Sequence, residues 1–492
     1  MELLPLFFFF FLTSLLHFSP TSSAATSKYN TLTVTPLSLP PLVDNTDDFF
    51  SSSSPFSDHK QQQQQQQLPS TSLHFRLAHR DSLRSPDSTP DSLLRLRLAR
   101  DAARVSLLSS PERRRGGRSG FSSNVTSGLA QGSGEYFTRI GVGTPPVPAF
   151  MVLDTGSDIV WLQCQPCRRC YSQTDPIFNP SDSKTFSPVS CSAPLCRQLD
   201  VSGCDVRTKS CQYQVSYGDG SMTTGDLSLE TLTFRGGARV RNVALGCGHD
   251  NEGLFVAAAG LLGLGRGPLS FPTQASRGSR FGNGFSYCLV DRTSSVAANN
   301  STRSSSVVFG SSAVPKSRPV TFTPMIRNPK MDTFYYVDLV GVSVGGSRVS
   351  GVLASDLKLD PSTGRGGVIV DSGTSVTRLA RPAYAAVREA FRSGAAGLKR
   401  VEGGFSLFDT CFDLAGRTEV KVPTLAMHFG GGAKVSLPAE NYLIPVDTKG
   451  TFCFAFAGTD GGVSIIGNIQ QQGFRVVFDA PRSRVGFSPR GC

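Results

Sequence analysis

Two short runs in this chain could do chemistry together. The first is Phe150-Met-Val-Leu-Asp154-Thr155-Gly156-Ser157, and the second is Gly367-Val-Ile-Val-Asp371-Ser372-Gly373-Thr374. Each is an apolar, strand-like run followed by an aspartate, a hydroxyl residue, a glycine and a second hydroxyl residue. One such triplet is ordinary turn chemistry, with Asp bonding its own backbone and Gly supplying the turn. Two of them, a domain's length apart, form a repeat. If a pseudo-two-fold axis brings the two aspartates together, like charges at hydrogen-bond distance cannot both ionise easily, and the pair shares a proton. The ionised member can take a proton from a water while the protonated member polarises a peptide carbonyl. That is general acid–base hydrolysis of an amide without a covalent intermediate. Gly156 and Gly373 would let the two loops approach closely. Thr155, Ser157, Ser372 and Thr374 would supply hydroxyls to orient the carboxylates.

The repeat has a second half. Leu261-Leu262-Gly263 follows the first aspartate and Ile465-Ile466-Gly467 follows the second, each by about a hundred residues. The chain is rich in Gly, Ser, Pro, Val and Phe, which favours many short strands and turns over helices. Strands are expected over Glu135–Val142 and Thr333–Val344. A hairpin is expected over Gln212–Tyr217 and Ser221–Thr224, with Gly218-Asp219-Gly220 as its tight turn. One helix is expected over Pro382–Phe391, with its proline early. The polar, basic stretch Ser294–Pro319 reads as a surface loop. The expected architecture is all-β, two similar lobes at residues 131–327 and 328–492, with the aspartates at their junction.

Residues 1–25 carry the apolar core and small-residue end of a signal peptide, although Glu2 stands where a cation is usual; a plastid-targeting segment is the alternative. Residues 26–130 read as a partly disordered prosegment. Their runs Ser51–Ser54 and Gln61–Gln67 cannot build a core. Within them Leu93–Val105 is basic and helix-prone, and its cations could cover an acidic cleft until removed. Arg113-Arg114-Arg115 is a candidate processing site. All 12 cysteines fall between Cys164 and Cys492, an even count that reads as disulfides behind a signal peptide. Cys164-x-x-Cys167-x-x-Cys170 has a metal-like spacing, but histidines are scarce and no metal or cofactor is expected. Asn124, Asn299 and Asn300 are sequons suited to a secreted chain. The C-terminus has no hydrophobic tail, so no membrane anchor is expected.

The net charge of +12 alone is too little to argue nucleic-acid binding. No Gly-x-Ser-x-Gly occurs, which disfavours a serine hydrolase. Gly263-Leu-Gly-Arg-Gly267 lacks the dinucleotide-binding spacing.

The repeat, together with Tyr217-Gly-Asp-Gly-Ser221 and Trp161 seven positions after Asp154, resembles the pepsin-like aspartic proteases over about residues 134–492. That family is the type case of proton sharing between two aspartates. The resemblance implies a bilobal fold with Asp154 and Asp371 as the catalytic pair in the cleft. It implies that Tyr217 is the tyrosine of a flap hairpin over the substrate and that Trp161 is its indole hydrogen-bond partner. It also implies that Thr155 and Ser372 bond across the lobes. The Cys-rich insert and Gly467-Asn-Ile-Gln-Gln-Gln472 look like the plant nepenthesin-type subgroup. The subgroup implies the pairs Cys164–Cys167, Cys170–Cys247, Cys191–Cys211, Cys196–Cys204, Cys288–Cys492 and Cys411–Cys453. The expected function is a secreted, monomeric aspartic endopeptidase made as a zymogen and acting on polypeptides in the extracellular space or cell wall, with vacuole or plastid as alternatives. The same fold also serves as a catalytically silent binding protein, such as a glycosidase inhibitor. Such proteins typically lose part of the catalytic set, whereas this chain keeps it.

Overall fold

The computed structural model describes residues 27–39, 72–83, 87–108, 136–217, 221–253, 258–278, 284–290 and 305–491. Strands dominate, and they form two lobes that repeat one motif. In the first lobe β3 (Tyr136–Val142) and β4 (Val147–Asp154) are antiparallel, and β5 (Val160–Gln163) follows the aspartate. The strand Gly260–Gly263 threads between them, parallel to β4 and antiparallel to β5. In the second lobe Ser464–Ile466 lies parallel to Val368–Val370 and pairs antiparallel with Thr377–Ala380. The two aliphatic-Gly runs therefore do the same work, each clamping the end of an aspartate-bearing strand. The buried segments of these central strands are rich in Val, Ile and Leu, as in Met151–Leu153, Leu261–Leu262, Val368–Val370 and Ile465–Ile466, because both faces are covered.

A six-stranded sheet joins the lobes. Its order runs Ser72–His79 (β2), Ser305–Gly310, Gly284–Cys288, Arg475–Asp479, Arg484–Ser488 and Thr321–Ile326. Ser305–Gly310 lies inside the stretch expected to be a surface loop. It is a strand because Val307, Val308 and Phe309 bury their side chains and pair on both edges. The expected hairpin is present as Cys211–Ser216 paired with Met222–Thr233, and the expected helix spans Arg381–Gly394.

Three pieces of the region read as a prosegment are built into the body. Strand β1 (Tyr29–Thr33) pairs with Glu419–Pro423 on the second lobe. Strand β2 adds to the joining sheet and also meets β3. Its alternation is clean: Leu73, Phe75 and Leu77 are buried, while His74 and Arg76 face out. Helix α1 (Pro90–Leu108) covers the basic stretch. The serine and glutamine runs, Arg113–Arg115, residues 1–25 and the three sequon asparagines lie outside the described residues.

The disulfides correct the expected pairing. Cys164 bonds Cys247 and Cys167 bonds Cys170. The parallel register of β5 with Arg239–Glu252 sets Cys164 beside Cys247, and Cys164 N–H donates to the Gly248 carbonyl at 2.9 Å. Cys191 bonds Cys204, and Cys196 bonds Cys211. Here burial sorts the partners: Cys196 and Cys211 are both in the core, whereas Cys204 is exposed. Cys411 bonds Cys453 as expected, the two facing each other across antiparallel strands. Cys288 is disulfide-bonded, and Cys492 lies outside the described residues.

Phe75 of β2 stacks on Phe234 and Phe309 at centroid distances of 5.4 and 5.7 Å. Phe75→Ala should therefore destabilise the uncut chain by about 3–5 kcal/mol in denaturant titration. A loss below about 1 kcal/mol would mean that β2 is not part of the core.

Candidate active site

Each aspartate ends a buried strand, and its loop folds back on its own carboxylate. Gly156 N–H donates to Asp154 Oδ1 at 2.9 Å, and Gly373 N–H donates to Asp371 Oδ1 at 2.9 Å. The two loops then interlock. Ser372 N–H donates to Thr155 Oγ1 at 2.8 Å, and Thr155 N–H donates to Ser372 Oγ at 3.3 Å. A glycine is needed at both bends. A Cβ on Gly373 would sit 2.5 Å from Asp154 Oδ1, and one on Gly156 would sit 3.1 Å from Asp371 Oδ1. The hydroxyls are not used symmetrically. Thr374 Oγ1 donates to Asp371 Oδ2 at 2.6 Å, whereas Ser157 Oγ is buried with no hydrogen-bond partner among the described residues.

Both carboxylates are buried, at 1% and 0% exposure, and one cation lies between them. Arg104 Nη2 is 2.8 Å from Asp154 Oδ1 and 2.9 Å from Asp371 Oδ2. Arg104 Nε also donates to Asp371 Oδ2 at 3.0 Å and to Thr374 Oγ1 at 3.2 Å. Burial alone would lower the arginine's pKa. The charges of Asp154 and Asp371, with their hydrogen bonds, outweigh it and raise the pKa above the ordinary value. Removing one partner from such a buried set costs several kcal/mol, because uncompensated charge remains.

Helix α1 delivers this cation on a face that is only partly apolar: Leu94, Arg97, Leu98, Asp101, Arg104 and Val105 are all buried. Leu94 and Leu98 pack with Val376, Phe408 and Ile469, and Val105 packs with Ile369 and Ile465. Asp101 accepts from Ser375 N–H, from Val376 N–H at 3.0 Å and from Arg378. The helix thus grips the loop just after Asp371 with an anion while it covers the aspartates with a cation.

Trp161 Nε1–H donates to Tyr217 OH at 2.6 Å, and Tyr217 is buried at the hairpin tip. Gly218, Asp219 and Gly220 lie outside the described residues.

Several supporting residues escaped sequence reasoning. Asn468 Nδ2 donates to the Ser372 carbonyl at 3.0 Å, and Gln471 Nε2 donates to the Asp371 carbonyl at 3.2 Å. Gln471 Oε1 in turn accepts from Tyr287 OH. A polar run directly after a buried Ile-Ile-Gly was the available signal. Asp158, four residues after Asp154, accepts from Gly267 N–H at 2.8 Å and from Thr333 Oγ1 at 2.7 Å. It ties the first aspartate loop to the start of the second lobe. A Cβ on Gly265 or Gly267 would collide with its carboxylate, so the glycines of Gly263–Gly267 make room for it.

Two family models match the chain, Xylanase inhibitor N-terminal over residues 136–311 and Xylanase inhibitor C-terminal over residues 334–489. Aspartyl protease family protein 2 of Arabidopsis thaliana is 64% identical over 430 residues, covering 86% of each chain. Aspartic proteinase nepenthesin-1 of Nepenthes gracilis is 40% identical, covering 75% of this chain and 81% of its own. Among solved structures, edgp superposes with a TM-score of 0.59 at 20% identity, covering 72% of this chain and 91% of its own. Basic 7S globulin from soybean superposes with a TM-score of 0.54 at 19% identity, covering the same shares. At those identities the two structures speak to fold alone.

Burial pushes the Asp158 carboxyl up to about 6, against the hydrogen bonds from Thr333 and Gly267 that pull it down. The folded protein therefore holds this proton more tightly than the unfolded chain. Well below the ordinary value of 3.8 both states are protonated. As pH rises from 4 to 6 the native state loses on the order of 2 kcal/mol. Asp158→Asn cannot ionise, so its melting temperature should improve relative to the unsubstituted protein between pH 4 and pH 6.5. A difference that stays flat with pH would contradict this. The aspartate-bearing strands, the interlocked loops and the relatives at 64% and 40% identity agree, and the chain belongs to the pepsin-like aspartic proteases, in their plant nepenthesin-type branch.

Proposed function

We propose that this chain is an aspartic endopeptidase made as an inactive precursor, with Asp154 and Asp371 as the catalytic pair. The observation that carries this reading is that one guanidinium nitrogen lies within 3 Å of both carboxylates. In this reading Arg104 Nη2 takes the place of the attacking water between the two carboxylates. With the arginine gone, the pair shares a proton. The ionised carboxylate takes a proton from the water as its oxygen attacks the peptide carbon. The protonated carboxyl gives its proton to the carbonyl oxygen. The tetrahedral intermediate then collapses: the carboxyl that took the water's proton gives it to the leaving nitrogen as the C–N bond breaks, and the other carboxylate takes a proton back from a hydroxyl of the intermediate. Gly156 N–H, Gly373 N–H and Thr374 Oγ1–H hold the carboxylates in place, which limits the reorganisation needed during reaction. The substrate is an extended peptide segment laid between the lobes, under the hairpin that carries Tyr217.

The precursor reading rests on α1, whose Arg104 pairs with both aspartates and whose Asp101 accepts from the loop that follows Asp371. Five disulfides among the described residues support secretion into an oxidising compartment, with cell wall, vacuole or plastid as the destination. The names of the matched domain models favour a second reading, a silent binding protein that inhibits a glycosidase. The complete set of aspartates, hydroxyls, tyrosine and tryptophan argues for the enzyme.

The test is cleavage of a peptide library between acidic and neutral pH, after residues up to 130 are removed, with and without pepstatin. Acid-favoured cleavage that pepstatin abolishes is expected, with Asp154→Asn slower by about 10²–10⁴-fold. An inert, folded body would shift the reading to the inhibitor.

A further inference from the structure

Residues 28–37 contact the second lobe at a surface remote in sequence from the aspartates. Tyr29–Thr33 lies antiparallel on Glu419–Pro423, and among the described residues that strand pairs with no other. The ladder continues past both ends: Thr424 N–H donates to the Lys28 carbonyl at 3.0 Å, and Val34 N–H donates to the Thr418 carbonyl at 2.8 Å. Asn30 Nδ2 donates to Tyr442 OH at 3.1 Å, and Tyr442 OH donates to the Pro423 carbonyl at 2.9 Å. Leu32 is 3% exposed and belongs to the main core. Leu37 packs in the same cluster as Leu94 and Leu98 of α1.

An edge strand with main-chain pairing, a side-chain amide contact and two apolar anchors is a peptide-docking surface of the strand-addition kind. Without its occupant, Glu419–Pro423 would present an unpaired edge. We propose that the edge of Glu419–Pro423, with Tyr442 and the Leu37 site, is an anchor that acts beside β2 of the joining sheet and keeps the prosegment attached after the chain is cut between α1 and β3. Its occupant is this chain's own segment 28–37. The proposal rests on reading residues 26–130 as a prosegment. With β2 and the Tyr29–Thr33 strand linked in one chain, rebinding of either is intramolecular while the other holds, which raises retention by roughly 10²–10⁴-fold over either alone. The helix can then leave the aspartates and return while β2 and the Tyr29–Thr33 ladder hold. Cutting and release become separate steps, and the cut prosegment remains an inhibitor in place.

The test uses the full chain with a site-specific protease sequence placed within residues 110–130. After the cut, gel filtration at neutral pH follows how long the N-terminal fragment co-elutes with the body. The fragment should be retained in the unsubstituted protein. It should dissociate at least ~100-fold faster in Leu32→Asp and in a variant lacking residues 27–39. Hydrogen exchange should show the amides of Val420 and Val422, which face Leu32 and Asn30, protected in the cut, unsubstituted protein and unprotected in the variants. Equal retention times, or free exchange at Val420 and Val422 in the cut protein, would overturn the proposal. Peptidase activity of the stripped body, read on the same fractions, reports separately on the catalytic reading. An inert body with retention that depends on residues 27–39 would sink that reading and leave the docking surface standing.

Discussion

Two aspartates buried at the meeting point of two lobes are the constraint on which the rest depends. Carboxylates this close and this dry need either a shared proton or a cation. In this structure the cation is Arg104, 2.8 Å from one and 2.9 Å from the other. The same electrostatic requirement explains the make-up of α1. A helix carrying only apolar residues could cover the cleft, but it would leave two like charges facing each other. Arg104 neutralises them, and Asp101 beside it satisfies Ser375 N–H, Val376 N–H and Arg378.

The frame that holds the aspartates is built twice and then locked. In each lobe an aliphatic-Gly strand clamps the aspartate strand from the side. Leu264 N–H donates to the Asp154 carbonyl at 2.8 Å, and Asp371 N–H donates to the Ile466 carbonyl at 3.2 Å. The loops interlock through Thr155 and Ser372, and the lobes share one sheet. Departures from the symmetry are informative. Thr374 binds its aspartate while Ser157 does not, and Asp158 and Gln471 are unlike supports for like loops. Asp154 and Asp371 therefore sit in unequal surroundings although their loops repeat one motif.

Much of this was legible in the sequence because the repeat is local. Asp-hydroxyl-Gly after a Val/Ile/Leu run fixes both a strand and its turn, and the hairpin and the helix Arg381–Gly394 follow from equally local patterns. What was missed depends on partners far along the chain. Strand β2 alternates cleanly at Leu73, Phe75 and Leu77, but it sits in a region dominated by low-complexity runs, and its partner Ser305–Gly310 lies in a stretch that reads as polar. Helix α1 was readable as basic and helical. Its buried face mixes Leu94 and Leu98 with Arg97, Asp101 and Arg104, so an apolar stripe could not single out the residue that reaches the aspartates. Spacing could not choose the disulfide partners either, because Cys164 meets Cys247 through strand register and Cys196 meets Cys211 through burial.

The central claim is that Arg104 and a substrate compete for one position between Asp154 and Asp371. Calorimetric titration of pepstatin into the uncut chain and into the body stripped of residues up to 130 tests it directly. Binding to the uncut chain should be weaker by at least ~10²-fold, since the ligand must displace a buried, doubly paired cation. Equal affinity for the two forms would mean that the arginine does not guard the site, and the account would fail.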